Sequence, residues 1–419
     1  MTQVSSPHAD IVVVGTGIAG LAAALALARQ GLRVELLGPR APLPAPEAGR
    51  FDPRVYALSP ASRGLLAGLG IWDALPAERI AGVRRMEIVG DRPAWGDRPG
   101  RLGLSAWQAG CDHLAWIAES RELERVLRQA VQWSGIRWTT EDFVALDGAR
   151  GAPGLTLRTA GGQALQARLA VAADGADSKL REAAGLAVSR SDYGATGVVV
   201  HLTAALPHQE CACQWFTPDG VLALLPMHDT DEGPQVSMVW SMPRARADAL
   251  LALPDHERAP ALEARLAAAT GGRLGALRVR SPLFGFPLTL QHCPQLAQRG
   301  VILLGDAAHV VHPLAGQGLN LGLGDVQALA QVLGGREPYR AVDDPRLLRR
   351  YQRARAEPLL AMRAVTDGLF HLFGSRAGPA AWLRNAGLDL VDRVPLLKRM
   401  LVNGASGIAT RPWPGGPTI

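Results

Sequence analysis

Residues Val301 to Asn320 read Val-Ile-Leu-Leu-Gly-Asp-Ala-Ala-His-Val-Val-His-Pro-Leu-Ala-Gly-Gln-Gly-Leu-Asn. These types and spacings suit a binding site built largely from backbone. An apolar strand, Val301 to Leu304, runs into Gly305. An acid, Asp306, follows at the strand's carboxyl end, where open α/β sheets place their ligands. After a short turn with Pro313, Gly316-Gln317-Gly318 opens an apolar helix that carries Leu319 and Asn320. Glycines there let backbone N–H groups approach an anionic or electron-rich ring, and a helix N-terminus adds positive potential.

A second glycine cluster must cooperate with the first. Asp10-Ile-Val-Val-Val-Gly15-Thr-Gly17-Ile-Ala19-Gly20 leads an alanine-rich helix and reads as strand, glycine turn, helix. Gly15 permits the tight turn, Gly17 lets a pyrophosphate approach the backbone, and Gly20 lets helix pack closely on strand. Ile11 to Ala28 carries no charge, so a membrane span or signal segment is the competing reading. No Lys or Arg precedes the run, three glycines weaken a helix there, and Gly31-Leu-Arg-Val-Glu-Leu-Leu completes a βαβ unit. Taken together, the two glycine segments describe a flavin site.

One expected group is absent. A dinucleotide fingerprint calls for an acid at the tip of the second strand, to hold the ribose hydroxyls. That position is Gly38, and Glu35 should point to a strand face. Backbone, water or Arg40 stand as replacements.

With a third segment, Ala172-Ala-Asp174-Gly175-Ala-Asp-Ser178-Lys-Leu-Arg181, the chain resembles the group A flavoprotein monooxygenases, the aromatic-ring hydroxylases. Phe51-Asp-Pro-Arg54-Val-Tyr-Ala-Leu-Ser59-Pro-Ala-Ser62 and the tail Leu383 to Lys398 are similar to the ubiquinone-biosynthesis hydroxylase branch. The resemblance implies an α/β fold. A Rossmann-like FAD-binding domain of the para-hydroxybenzoate hydroxylase type would carry an inserted mixed β-sheet substrate domain and a C-terminal helical segment. It implies that Asp306 holds the FAD ribityl chain and that Pro313 with the Gly316–Gly318 backbone lies against the flavin ring. Asp174 and Gly175 would lie at the interface of FAD and pyridine nucleotide, and Arg54 near FAD. Arg121 is a weaker candidate contact, with a solvated helix residue as the alternative.

The domain reading follows. FAD-binding pieces are expected at residues 1–80, 106–189 and 295–363. A substrate-side excursion falls at 81–105, a substrate sheet at 190–294 and a helical segment at 364–419. Asp91 to Gly103 is rich in Pro, Gly and Arg and is expected to run between elements. Gly197–Ala204, Cys213–Phe216, Val221–Pro226, Gln235–Met242 and Ser281–Leu290 read as strands. Ala245–Ala269 reads as helix broken near Pro254 and Pro260.

Composition narrows the function classes. The chain has 419 residues, 48% hydrophobic, with a formal charge of +6 scattered mostly as Arg. That is enough for two domains and does not suggest nucleic-acid binding. Four Cys do not make a disulfide framework at this length, and no His or other Cys near Cys211-Ala-Cys213 completes a tetrahedral metal set, so reduced thiols and no metal are expected. No targeting segment or spanning helix is read, which points to a cytoplasmic protein. His309 and His312 read as hydrogen-bonding residues of a turn.

The chemistry needs no catalytic triad, because a flavin carries it. The resemblance implies NAD(P)H as transient co-substrate, O2, a flavin C4a-hydroperoxide and hydroxylation of a polyprenylated phenol. No second glycine fingerprint serves a pyridine nucleotide, so a groove is expected. A small soluble phenol as substrate, a flavin-binding structural subunit of a ubiquinone-synthesis assembly, and a homodimer all stay open. Phe370, Phe373, Trp382, Leu388, Val391, Leu396, Leu397 and Met400 give an apolar surface. Packing is its ordinary explanation, and a peripheral contact with the inner face of the membrane the alternative.

Overall fold

The computed structural model describes residues 9–43, 51–93, 99–147, 154–311 and 317–374. Four stretches that build the nucleotide half are almost wholly apolar, and they become its central parallel strands. Ala9–Val14 lies between Val34–Leu37 and Ala164–Ala172, and Val301–Leu303 pairs with the far edge of the latter. Strands buried on both faces need unbroken apolar runs, and Ile11, Val12 and Val13 are wholly buried. The helix Ile18–Ala28 covers one face with small side chains, which brings its axis close to the sheet. Glu35 is buried and accepts a hydrogen bond from the Thr139 hydroxyl at 3.0 Å, so it stays on the strand face as expected.

The second half is a nine-stranded mixed sheet among the described residues. The expected strands all occur, the longest as Ser189–Ala204, and the return strand is Phe284–His292. A small three-stranded sheet of Val55–Leu58, Ile80–Val83 and Ala115–Glu119 is interleaved in sequence with strands of both large sheets.

Four expectations need correction. Asp91 to Gly103 is no simple excursion: Arg85–Pro93 and Pro99–Ser105 pair antiparallel and join the substrate sheet. Pro93 is the last residue of its strand, Pro99 is the first of its own, and Pro99–Ser105 is the edge strand, so no interior ladder bond is lost. Pro260 does not break its helix, which runs Asp255–Thr270, whereas Pro254 stands at the N-cap. Pro260 and His256, whose carbonyl loses its helical partner, both lie on the exposed side, so water can take that bond. The expected boundary at residue 364 falls inside one helix, Pro345–Gly374. The short strand His309–Val310 also pairs with Phe284–His292, so a piece of the 295–363 segment belongs to the substrate sheet. Trp382 to Met400 lie outside the described residues, as do the side chains of Phe370 and Phe373. Among the described residues, no helix is long and apolar enough to cross a membrane.

Candidate active site

The two halves meet at a cavity of about 800 Å³. Gly17, Ala19, Arg54, Gly175, Gly305, Asp306, Gly318, Leu319 and Asn320 line it from the nucleotide side. These residues come from five separate segments of chain. The opposite wall is one cross-strand row of the substrate sheet, Phe284–Val199–Val239–Ala223–Gln214, in direct register. Because side chains alternate along strands, the residues between these point away from the cavity, into a core of Val198, Val200, Cys213, Leu224, Met238 and Trp240.

The glycines divide into two roles. A Cβ on Gly15 would lie 2.1 Å from the Ala173 carbonyl oxygen, and one on Gly20 would lie 2.1 Å from that of Gly15. These two are glycines because backbone passes against backbone. Gly17 and Gly318 have open space where a Cβ would be. That leaves bare amide backbone facing the cleft, a cradle that fits a pyrophosphate at Gly17 and a flat ring near Gly318. FAD fits this site.

Asp306 is an exposed residue at the cleft wall. Desolvation by the surrounding protein raises its carboxyl above the ordinary value, while His309 and Arg54 pull it back. The turn beneath Asp306 is held from behind. Gly305 has φ +55° and donates its N–H to Asp325 at 2.8 Å. Asp325 also accepts from His309 Nε2 at 2.7 Å and Arg355 Nε at 2.5 Å, and it has no exposed surface. Burial pushes its carboxyl up, but His309, Arg355 and the Gly305 N–H outweigh that and hold it below the usual carboxylate range. Tyr351, fully buried, donates to the Leu303 carbonyl at 2.8 Å.

The Asp174 motif is tied to the same turn. Asp174 accepts from the Ser178 hydroxyl and from the Leu180 N–H at 3.2 Å, so its carboxylate shapes its own loop. Arg181 is wholly buried and donates to the carbonyls of Ala307 and Ala176, each at 2.9 Å. Asn320 takes a comparable role. Its Oδ1 accepts from the Ser59 N–H at 2.9 Å and the Ser62 hydroxyl at 2.7 Å, and its Nδ2 donates to the Ala57 carbonyl at 2.8 Å.

Arg54 projects into the cleft beside Tyr56, within the field of Asp306. The loop that carries it is clamped at Asp52. The Asp52 N–H donates to Glu119 at 2.5 Å, and its carbonyl accepts from His201 Nε2 at 2.7 Å. Its carboxylate accepts from the Arg54 and Arg121 N–H groups at 3.0 and 2.9 Å.

The structure does not bring every expected residue to the cleft. Arg121 holds Asp52 and is not a cavity-lining residue. Arg40 stacks on Trp138 at 5.4 Å and lines a separate groove with Arg125 and Arg128. His312, Pro313 and Gly316 lie outside the described residues, as does the side chain of Gln317. Sequence reasoning missed Asp325, Arg355, Arg181 as a tie, and the Gln214 row. Asp325 did leave a signal: it is the lone charge in the apolar helix Gln317–Gly334.

A nucleotide turn, an acid at a strand end and an apolar sheet closing one cleft define a flavin-dependent monooxygenase. Comparison agrees. Residues 8–366 match the FAD binding domain family. The chain is 33% identical to 3-demethoxyubiquinol 3-hydroxylase of Escherichia coli, covering 95% of this chain and 98% of that one. It is 34% identical to the ubiquinone hydroxylase UbiL of Rhodospirillum rubrum, over 95% and 90% respectively. The crystal structure of PqsL from Pseudomonas aeruginosa with 2-aminobenzoylacetate superposes with a TM-score of 0.72 at 22% identity, covering 91% of this chain and 99% of that one. The chain belongs to the ubiquinone-hydroxylase family of FAD-dependent monooxygenases, and FAD is its cofactor.

Proposed function

We propose that this enzyme hydroxylates the aromatic ring of a polyprenylated phenol in ubiquinone synthesis, with NAD(P)H and O2 as co-substrates. The observation that carries the proposal is the cavity, where Asp306 and Gly318 face the apolar row from Phe284 to Gln214. Relatives whose names specify demethoxyubiquinol and ubiquinone hydroxylation support the substrate class. FAD, when bound, supplies electron transfer from the pyridine nucleotide and activation of oxygen.

The chain's own residues bind, orient and exclude water. The bare backbone at Gly17 receives the pyrophosphate, with the N-terminus of Ile18–Ala28 adding positive potential. Asp306 accepts hydrogen bonds from the sugar-alcohol chain of the cofactor. The amides that open Gln317–Gly334 stabilise negative charge on its reduced ring. Val199, Ala223, Val239 and Phe284 keep the reacting ring dry and leave room for a prenyl chain. Gln214 is the polar member of that row and suits a phenol hydroxyl.

The test is lipid mass spectrometry on a strain lacking the gene beside its parent, followed by assay of the purified enzyme. Accumulation of a prenylated phenol short of one ring oxygen, with its conversion in vitro, supports the proposal. NAD(P)H oxidation stimulated only by small soluble phenols would overturn the prenylated substrate. Absence of any hydroxylated product would leave a structural flavoprotein.

A further inference from the structure

The strand Cys211–Thr217 presents different chemistry on its two faces. Ala212, Cys213 and Gln214 all reach the cavity lining, but the buried Cys211 and Cys213 pack with Val198, Leu224 and Met238 in the core behind it. Their sulfur atoms lie 3.9 Å apart, and both thiols are free. Glu87, on the adjoining parallel strand Arg85–Pro93, is the direct register partner of Cys213. One oxygen of Glu87 and the two sulfurs all lie within 4.8 Å of one another. The sequence alone shows two possible ligands here, because Glu87 is more than 120 positions away. The sheet supplies the third.

We propose that Glu87, Cys211 and Cys213 form a binding site for a thiophilic divalent cation of the zinc class. Two sulfurs on one tetrahedral zinc, each at about 2.3 Å, lie about 3.8 Å apart, close to the separation seen. A disulfide would need them at about 2 Å, so the pair is set for a shared metal and not for a bond to each other. Arg273 donates Nε and Nη2 to the two Glu87 oxygens, each at 3.1 Å. It thereby orients the carboxylate from behind, as outer partners of metal ligands do. Each oxygen keeps a further lone pair for the cation.

Charge also closes. Two thiolates and one carboxylate balance a divalent ion and the Arg273 guanidinium. Binding displaces the two thiol protons to solvent, and no electrons move. The fourth position is left for water, reached past Glu87, whose side chain is 40% exposed. A metal here would staple Cys211–Thr217 to Arg85–Pro93 directly behind Gln214. The site would therefore stiffen the cavity wall from the side of the sheet that carries the core.

The test is titration of the reduced, flavin-loaded enzyme with Cd2+, followed by difference absorption of the thiolate-to-metal band. One cadmium per chain is expected, displaced by Zn2+. Cys211→Ser and Cys213→Ser should each abolish stoichiometric binding, and Glu87→Gln should weaken it about tenfold. Cys111→Ser should change nothing. No band, or the same band in the Cys211→Ser/Cys213→Ser double variant, overturns the site. Should those variants not fold, native mass spectrometry of the wild-type chain decides. A single zinc adduct short of two protons supports the site, and a spectrum without one overturns it.

Discussion

His309 donates through Nε2 to Asp325 at 2.7 Å, and both side chains are buried beneath the turn that presents Asp306. Asp325 is shared by His309, Arg355 and the Gly305 N–H. One carboxylate thus ties the end of a strand, the interiors of the helices Gln317–Gly334 and Pro345–Gly374, and the turn of the acid that faces the cofactor. Replacing Asp325 with Asn leaves Arg355 buried without its counter-charge. Removing one partner of such a pair costs about 3–5 kcal/mol. The variant should unfold at a clearly lower denaturant concentration and lose FAD on gel filtration. Unchanged stability with full flavin retention would mean that the turn is held by other contacts.

Asp306 should trade stability for function. Its folded-state carboxyl is raised by desolvation. An acid raised on folding stabilises the native state only below its unfolded value, about 3.9, and that contribution is lost as pH rises through the folded value. At neutral pH the ionised group is therefore a burden on the flavin-free protein. Asp306→Asn should raise the melting temperature of flavin-free protein at pH 7, with the gain vanishing in acid. FAD affinity should fall at least tenfold. A variant less stable than wild type at pH 7 would contradict this account.

His201 predicts the opposite pH trend. Desolvation lowers it below its ordinary value, against the opposing hydrogen bond to Asp52. A histidine depressed on folding is kept neutral in the native state. Its contribution is complete above the unfolded value, about 6.5, and is lost as pH falls below it. Melting temperature should decline between pH 7 and pH 5, and His201→Gln should flatten that decline. Equal slopes in the two proteins would remove His201 from the explanation.

Ala223 stands mid-row in the cavity wall, between Gln214 and Val239. Ala223→Trp fills space proposed for substrate while leaving Gly17 and Asp306 untouched. Bound flavin should persist, and KM for a prenylated phenol should rise tenfold or more. Loss of flavin instead would show that the row supports the cofactor.

The legible parts of this site were local in sequence. Gly15 and Gly20 announce a turn because close backbone approach leaves no other residue type, Gly17 between them leaves its amide bare to the cleft, and Asp306 follows its strand directly. The ties were not legible, because their partners are remote. Arg181 reaches Ala307, and Arg355 reaches Asp325 from another helix. Nothing local to Arg40 or Arg121 distinguished cleft from surface. The one to stack on Trp138 and the other to hold Asp52 depended on how distant segments fell together. The hairpin of Arg85–Pro93 and Pro99–Ser105 was obscured by Pro93 and Pro99, which stand at the facing ends of its two strands.

The order of strands in the nucleotide sheet has a consequence for biosynthesis. Ala164–Ala172 is flanked by Ala9–Val14 on one side and by Val301–Leu303 on the other. The first strand therefore leaves the ribosome long before the far edge of its own sheet exists. Throughout that interval the exposed edge of Ala164–Ala172 and the uncovered apolar face above it are open to wrong partners. The cofactor offers no early rescue, since Asp306 and Gly318 are among the later residues made. Flavin capture thus has to wait until the residues around Asp306 and Gly318 have been made, and the time spent translating residues 173–300 sets how long that edge stays open.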